Sequence, residues 1–321
     1  MSRRLAAVAA LLATACASSG TTDPSPTTTH PAGVLAATVP LRGRPHGVAI
    51  AANGRFCVSL IDSAAVRCGQ LSAAAVTLSQ SASVGLAPAH VALSPDGAQA
   101  YTADQYGNTL SVVDVVAPSA VRAVALTDGG FNVLADPGGT RVYVTTASGT
   151  LHVVDVATRQ VLARVPVGAA ANGLALDRAA GRLYVSSINA GTVTAVNTTT
   201  YAVERTYQVS AMPQRIALSA DGKTLYVATE STGVEVVDVA TGAGTGVEGV
   251  RPGAVGLALS PDGQQLYVTY PPAATVQIVD VASRRVVNSL TNLASPRNVA
   301  FGLDGAAALV TGEGGVVYVI R

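Results

Sequence analysis

The hydrophobic residues of this chain come in short runs that alternate with turn-forming residues. Most runs are roughly four to eight residues long, rich in Val, Leu and Tyr, and bounded by Gly, Pro, Asp or Ser. Runs of this length, enriched in β-branched and aromatic residues, predict strands rather than helices. No run reaches the ~18 apolar residues that a membrane-spanning helix needs. The pattern therefore predicts an all-β protein.

Three short motifs recur in a fixed order along most of the chain. They are Ala-Leu-Ser-Pro-Asp-Gly at 92–97 and 258–263, Leu-Tyr-Val at 183–185, 225–227 and 266–268, and Val-Val-Asp-Val at 112–115, 153–156 and 236–239. Alignment on the middle of the Leu-Tyr-Val motif gives seven centres, at Cys57, Tyr101, Tyr143, Tyr184, Tyr226, Tyr267 and Leu309. Successive centres are 41 to 44 residues apart. This period, with four strand signals per unit, predicts a seven-bladed β-propeller with four antiparallel strands (a to d) in each blade.

The two ends of the repeat complete one another. The seventh unit ends at Arg321 after its third strand, Val316 to Val319. The segment 34–41, Val-Leu-Ala-Ala-Thr-Val-Pro-Leu, resembles the fourth-strand sequence 161–167 and has no preceding unit of its own. We therefore expect the N-terminal strand to join the last blade and close the ring, which removes an exposed sheet edge. The alternative is an open array with a frayed edge.

The Tyr-Val-Thr segments at 143–145 and 267–269, with the Ser-Pro-Asp-Gly turns and the Val-Val-Asp strands, resemble the bacterial YVTN-type β-propeller repeat family. The resemblance covers about residues 34–321. It implies an extracytoplasmic binding or surface protein. Related propellers include sugar-lactone hydrolases, so the resemblance leaves catalysis open.

The first unit departs from the motif, because it has cysteines in strands b and c. If these strands pair as a hairpin centred near Asp62 and Ser63, Cys57 lies opposite Cys68. Opposed residues of antiparallel strands are ~4.5–5.5 Å apart, within disulfide range. We expect a disulfide in an exported domain. The alternatives are two buried free thiols or, less favoured, a metal site.

The N-terminal segment predicts export. A basic start at Arg3 and Arg4 precedes an apolar stretch and the small residues before Cys16. This order is typical of a secretory signal, and the cysteine resembles a bacterial lipobox. We expect a signal peptide at 1–15, lipidation of Cys16, a disordered Ser/Thr/Pro linker at 16–33 and the propeller at 34–321. The chain would then be anchored to a bacterial membrane, facing the periplasm or the cell surface. Plain secretion, with no lipid, is the alternative.

Composition limits the possible partners. Charged residues make up 12% and hydrophobic residues 49% of the chain, which argues against disorder over most of its length. The formal net charge is +1, and removal of Arg3 and Arg4 would leave −1. Such a balance gives no electrostatic basis for nucleic-acid binding or for membrane contact beyond the anchor. We expect a monomer with no cofactor and no resident metal ion.

Polar residues that differ between units are expected around one mouth of the central channel. The residues just before strand a read His46-Gly47, Ala89-His90, Phe131-Asn132, Asn172-Gly173, Gln214-Arg215, Val255-Gly256 and Arg297-Asn298. The loops between strands b and c add Asp62, Asp104-Gln105-Tyr106, Asn189, Glu230, Tyr270 and Glu313. Positions that vary on a repeated scaffold are where a grafted site is expected. The predicted ligand-binding residues are His46, His90, Tyr106, Asn132, Asn172, Gln214, Arg215, Arg297 and Asn298. The alternative is that the channel mouth has no binding function and is polar because it is exposed to solvent.

Two functional hypotheses follow. The first is a non-catalytic binding scaffold whose loop face binds a protein, a glycan or a small molecule. The second is a lactonase-type or other metal-assisted hydrolase, with His46, His90, Asp62 and Asp104 as candidate catalytic residues. A His/Asp cluster can act as a general base or hold a divalent ion, but only if the four side chains converge.

Overall fold

The computed structural model describes residues 30–118, 121–302 and 305–321. Within these residues it contains seven antiparallel sheets of four strands each, arranged as a seven-bladed β-propeller. The predicted fold class is therefore confirmed. The signal peptide predicted at 1–15, Cys16 and most of the predicted linker lie outside the described residues.

The first four blades follow the chain in order. Blade one contains β2 (Pro45–Ile50), β3 (Arg55–Leu60), β4 (Ala65–Leu71) and β5 (Val76–Ser83). Blade two contains β6 (Pro88–Leu93), β7 (Gln99–Asp104), β8 (Thr109–Asp114) and β9 (Arg122–Ala125). Blade three contains β10 (Gly130–Ala135), β11 (Arg141–Thr146), β12 (Thr150–Asp155) and β13 (Val161–Pro166). Blade four contains β14 (Ala171–Asp177), β15 (Arg182–Ser187), β16 (Thr192–Asn197) and β17 (Val203–Gln208).

The last three blades bring the chain back to its start. Blade five contains β18 (Pro213–Leu218), β19 (Thr224–Thr229), β20 (Gly233–Asp238) and β21 (Gly244–Gly246). Blade six contains β22 (Leu257–Leu259), β23 (Gln265–Tyr270), β24 (Thr275–Asp280) and β25 (Arg285–Leu290), with a short 3₁₀ helix at Pro271–Ala273. Blade seven contains β26 (Pro296–Phe301), β27 (Ala308–Gly312), β28 (Val316–Ile320) and the N-terminal β1 (Leu35–Pro40).

The ring is closed by the N-terminal strand, as the sequence predicts. Strand β1 pairs antiparallel with β28, with Val39 opposite Val317, so it supplies the missing fourth strand of blade seven. The extra residue of this segment forms an irregularity between Leu35 and Ala37. This pairing covers the edge of β28 that would otherwise be free.

The predicted hairpin of blade one is also confirmed. Cys57 lies opposite Cys68 between β3 and β4, and the two form a disulfide. The equivalent pair in blade six is Tyr267 opposite Ile278. The disulfide therefore occupies a position that the other blades fill with apolar side chains.

The hydrophobic core lies between the blades and not in a single centre. Each sheet packs its faces against its neighbours, and the middle strands are buried on both sides. One cluster joins Phe56 and Val58 of blade one to Leu309 and Val317 of blade seven. Burial of each such large apolar side chain contributes ~1.5–3 kcal/mol. Closure of the ring is therefore stabilised by packing as well as by strand pairing.

The last residues of the predicted linker lie against the propeller. Residues 30–33 contact blade six: His30 Nδ1 lies 2.5 Å from Asp262 Oδ2, and Asn288 Nδ2 donates to the Gly33 carbonyl at 2.9 Å. The Tyr267 hydroxyl donates to the Pro31 carbonyl. These polar side chains of blade six satisfy the backbone of the segment, which sequence composition alone does not reveal.

No helix in the described part of the chain is both long enough and apolar enough to span a bilayer.

Candidate functional site

In six of the seven blades the inner strand, strand a, begins with an irregularity that exposes backbone groups at the channel mouth. In blade four, for example, the β14–β15 register shifts between Ala171 and Leu174, and equivalent shifts occur in blades one, two, three, five and seven. A bulge leaves the extra residue outside the ladder of backbone hydrogen bonds. Buried backbone groups freed in this way need other partners.

Buried hydroxyls near the end of strand b supply those partners. In four blades one hydroxyl accepts a hydrogen bond from a strand-a amide of its own blade and donates to a strand-a carbonyl of the next blade. Thr311 joins Asn298 N, at 3.0 Å, to the His46 carbonyl, at 2.7 Å. Three other hydroxyls join an amide to a carbonyl in the same way. Thr145 joins Asn132 N to the Asn172 carbonyl, Ser186 joins Gly173 N to the Gln214 carbonyl, and Thr269 joins Gly256 N to the Arg297 carbonyl. We call these contacts the hydroxyl latches.

A histidine takes this role between blades one and two. Ser59 accepts from Gly47 N at 2.8 Å, while His46 Nδ1 donates to the Ala89 carbonyl at 2.5 Å. Because a carbonyl only accepts, Nδ1 carries the proton and the neutral ring leaves Nε2 as an acceptor. Gly47 permits this close approach, since a Cβ there would lie 2.7 Å from the His90 Cα. The orientation and tautomer of His46 are thus set by a contact between blades.

The latched positions surround a cavity of about 180 Å³, which we call the mouth cavity. All seven blades contribute to its wall, through His46, Ala89, Phe131, Asn172, Gln214, Arg215, Val255, Arg297 and Asn298, and two loops between strands b and c add Gln105 and Ile188. Six of the nine predicted binding residues therefore line one cavity: His46, Asn172, Gln214, Arg215, Arg297 and Asn298. Whether they contact a ligand stays a prediction.

The amide side chains of the cavity are largely engaged with one another. Asn172 Nδ2 donates to Gln214 Oε1 at 2.7 Å, and Gln214 Nε2 donates to Glu230. Asn298 Oδ1 accepts from Arg215 Nε at 3.0 Å, and its Nδ2 donates to the His46 carbonyl at 2.7 Å. These bonds fix the amide orientations and hold Arg215 across the channel from its own blade.

The charged groups in and around the cavity do not all have a partner of opposite charge. Glu313 Oε1 lies 3.9 Å from Arg297 Nε and 3.5 Å from Arg44 Nη2, so one carboxylate faces two arginines. Arg215 forms no ion pair among the described residues, and its Nη1 is buried without a hydrogen-bond partner there. Desolvation, with the positive charge of Arg297, lowers the pKa of Arg215 to about 9. Desolvation also lowers the pKa of Arg297.

The two histidines among the hydrolase candidates, His46 and His90, are held in the neutral form. Burial, together with the charges of Arg297, Arg215 and Arg44, lowers the pKa of His46 from 6.5 to about 3. Its Nε2 is 3.6 Å from Glu313 Oε1. Because the ring is neutral, this is a contact between two hydrogen-bond acceptors and not an ion pair. Burial also lowers the pKa of His90 well below its ordinary value. Such weakly basic rings have little capacity for general-base catalysis near neutral pH.

The two candidate aspartates have other partners. Asp104 accepts hydrogen bonds from the hydroxyls of Thr102, Thr109 and Ser111 at 2.6 to 2.8 Å, and burial raises its pKa. Asp62 accepts from Ser63 and from the Arg44 amide, which lower its pKa against the opposing effect of burial. No group of three or more His, Cys, Asp or Glu within the described ranges is placed to hold a metal ion. The acid–base cluster of the hydrolase hypothesis gains no support from this geometry.

The other three predicted binding residues, and Tyr270 of the predicted loop set, do not line the cavity. Tyr106 is 75% exposed beside the cavity, whereas Asn132 is buried, its Oδ1 accepting from Val133 N. His90 faces a more apolar part of the channel. Tyr270 is fully buried among blade five and six residues. Gln105 was in the predicted loop set but not among the chosen binding residues. Asn132 and His90 adjoin the bulge at the start of strand a, which alignment of the repeats does not show.

The fold and site define a seven-bladed β-propeller with a polar, positively charged cavity at one mouth of its channel. A family model described as YncE-like β-propeller matches residues 3–312. The chain belongs to this YncE-like family.

The chain is similar to two curated proteins in sequence and to a solved structure in fold. Proteins from Salmonella typhimurium strain LT2 and Salmonella typhi, each named "Uncharacterized protein YncE", are 30% identical over 146 residues, or 44% of this chain. The alignment spans 41% of the length of these relatives. The Kuenenia stuttgartiensis hydrazine synthase structure superposes with a TM-score of 0.79 at 17% identity, covering 88% of this chain and 96% of the other. At that identity the likeness concerns the fold alone.

The buried histidines predict how stability depends on pH. The folded state holds the pKa of His46 near 3, whereas the unfolded chain takes up that proton near pH 6.5. The free energy of unfolding should therefore decrease as pH falls below 6.5, by up to ~1.4 kcal/mol per pH unit for each such group. The variant His46→Asn, which keeps a side-chain donor for Ala89, should show a shallower decrease in urea unfolding between pH 6.5 and 4.5. His90 remains in both proteins and serves as the internal control. Equal slopes would contradict the burial of a neutral His46.

Proposed function

We propose that this protein is an exported, lipid-anchored binding protein, without catalytic activity, whose ligand occupies the mouth cavity. One observation carries the proposal. The residues that differ between blades converge on a single cavity, while the hydroxyl latches that position them are repeated. A symmetric scaffold needs none of these differences for its own folding, and a recognition site does.

The path of the N-terminal segment is consistent with an anchor. Strand β1 begins near Arg321, since Val34 and Arg321 exchange backbone hydrogen bonds, and it runs towards the mouth. Before it, His30 contacts Asp262, which lies in the turn between strands a and b of blade six. That turn is at the end of strand a opposite the mouth cavity. A tether reaching the propeller at this face leaves the mouth unobstructed.

Export and lipidation rest on the sequence, with the disulfide in support. The order of basic, apolar and small residues before Cys16 motivates cleavage and lipidation. The Cys57–Cys68 disulfide favours an oxidising compartment outside the cytoplasm. The YVTN-type repeat resemblance points to the same location.

The anchor is tested by fractionation. In cells that produce the full chain, we expect the protein in the membrane fraction, extractable with detergent, and the variant Cys16→Ala in the soluble or secreted fraction. Cys57→Ala is the matched control for loss of a cysteine, and it should stay membrane-bound if it folds. A wild-type protein found soluble, or membrane-bound Cys16→Ala, would contradict the anchor.

The binding site is tested by obstruction of the cavity. Gln105→Trp would place a large ring on the cavity wall, and Tyr106→Trp is its matched control, because that neighbouring residue lies outside the wall. Titration calorimetry with a panel of monosaccharides and small organic acids should find binding to the full chain and to Tyr106→Trp, weakened at least about tenfold in Gln105→Trp. Binding that is equal in both variants would place the site elsewhere, and no binding to any compound would contradict a small-ligand site.

A further inference from the structure

Arg215 lines a cavity shared by all seven blades and forms no ion pair with any residue that the structure describes. Its Nε donates a hydrogen bond to Asn298 Oδ1, whereas its Nη1 is buried and has no hydrogen-bond partner among these residues. The residue is nevertheless part of the cavity wall. Burial of a charge without a partner is strongly unfavourable, and natural proteins keep such arrangements mainly at functional sites.

The neighbouring charges do not compensate for Arg215. The carboxylate of Glu313 is shared between Arg297 and Arg44. Glu230 accepts a hydrogen bond from Gln214. Three arginines and two glutamates thus leave an excess of positive charge around the cavity. The lowered pKa values of Arg215 and Arg297 follow from the same crowding and desolvation of cations. An anion bound between Arg215 and Arg297 would stabilise the charged form of both arginines.

His46 and Glu313 present hydrogen-bond acceptors that have room for a donor. His46 Nε2 carries a lone pair, because Nδ1 holds the proton for the Ala89 carbonyl. It faces Glu313 Oε1 across 3.6 Å. Two acceptors at this separation are stabilised by a hydroxyl that donates to one of them.

We propose that the mouth cavity binds a small carboxylate that carries hydroxyl groups. The carboxylate pairs with the guanidinium of Arg215, with Arg297 adding positive charge, and a hydroxyl donates to His46 Nε2 or Glu313. The inference rests on the proposed function and names its ligand class.

Size and geometry both favour this class. The cavity of about 180 Å³ is smaller than the ~300–1,000 Å³ typical of drug-sized ligand sites. The planar fork of a guanidinium matches the two oxygens of a carboxylate. Sugar acids combine such a carboxylate with several hydroxyls. They occur both free and at the ends of polysaccharides, so either source presents the same group.

Calorimetric titration of the full chain with four probes tests the ligand class. D-Glucuronate carries both groups, D-glucose lacks the carboxylate, propionate lacks the hydroxyls, and inorganic phosphate is a tetrahedral anion. We expect glucuronate to bind at least tenfold more tightly than the other three. A trisaccharide ending in glucuronate, compared with the free acid, then distinguishes the polymer source from the free source.

Substitutions test the role of the arginine. Loss of a buried, charge-paired group costs a factor of roughly 30 or more, so Arg215→Ala should lose glucuronate binding by at least that factor. Arg215→Lys keeps the charge without the fork and should bind with intermediate affinity. Arg285→Ala removes an arginine of an exposed pair with Glu248 and should bind as the wild type does. Thermal unfolding of each variant identifies any that does not fold, and Arg215→Lys remains informative if Arg215→Ala fails.

The outcomes separate this inference from the proposed function. Glucose binding as tightly as glucuronate, and weakened by Gln105→Trp, would overturn the carboxylate while the mouth cavity remains the site. Tighter binding of phosphate than of glucuronate would likewise overturn the ligand class. Glucuronate binding that Arg215→Ala leaves unchanged, or no binding of any probe, would overturn the inference.

Discussion

The architecture of the mouth depends on how the backbone is satisfied where strand a departs from strand b. In blades three, four and seven the register shifts at that point, and an amide loses its ladder partner while a carbonyl of the next blade lies close by. A single hydroxyl, such as Thr145 or Thr311, bridges the two. The threonine of the Tyr-Val-Thr motif is therefore a connector between blades. This explains its repetition better than strand propensity does.

Because main-chain groups make these connections, the side chains at the same positions are free to differ. Gln214 and Arg297 each give their carbonyl to a latch, yet one side chain joins an amide network and the other faces Glu313. The backbone atoms of these residues thus connect the blades, while their side chains are free to make other contacts. The uncompensated charge of Arg215 is then a local cost that the latched, well-packed ring can tolerate.

The repeat made much of the fold predictable. The period fixed the number of blades, the missing fourth strand of the last unit indicated closure by β1, and the equivalence of Cys57 with Tyr267 indicated the disulfide. Alignment also located the mouth cavity through residues such as Asn172 and Gln214. It did not show that Asp104 is enclosed by three hydroxyls, because that depends on which face of strands b and c each side chain occupies. Nor did it show that Arg215 has no ion-pair partner in the part of the chain that the structure describes, since partners across the channel are far apart in sequence.

The latch between blades seven and one offers the most direct test of the account. Thr311→Val keeps the shape of the side chain but leaves Asn298 N without its hydroxyl partner, whereas Thr311→Ser keeps the hydroxyl. The free energy of unfolding, measured with urea, should fall by about 1–3 kcal/mol in Thr311→Val and by clearly less in Thr311→Ser. Equal stability of Thr311→Val and the wild type would contradict the view that these hydroxyls hold the ring and its mouth together.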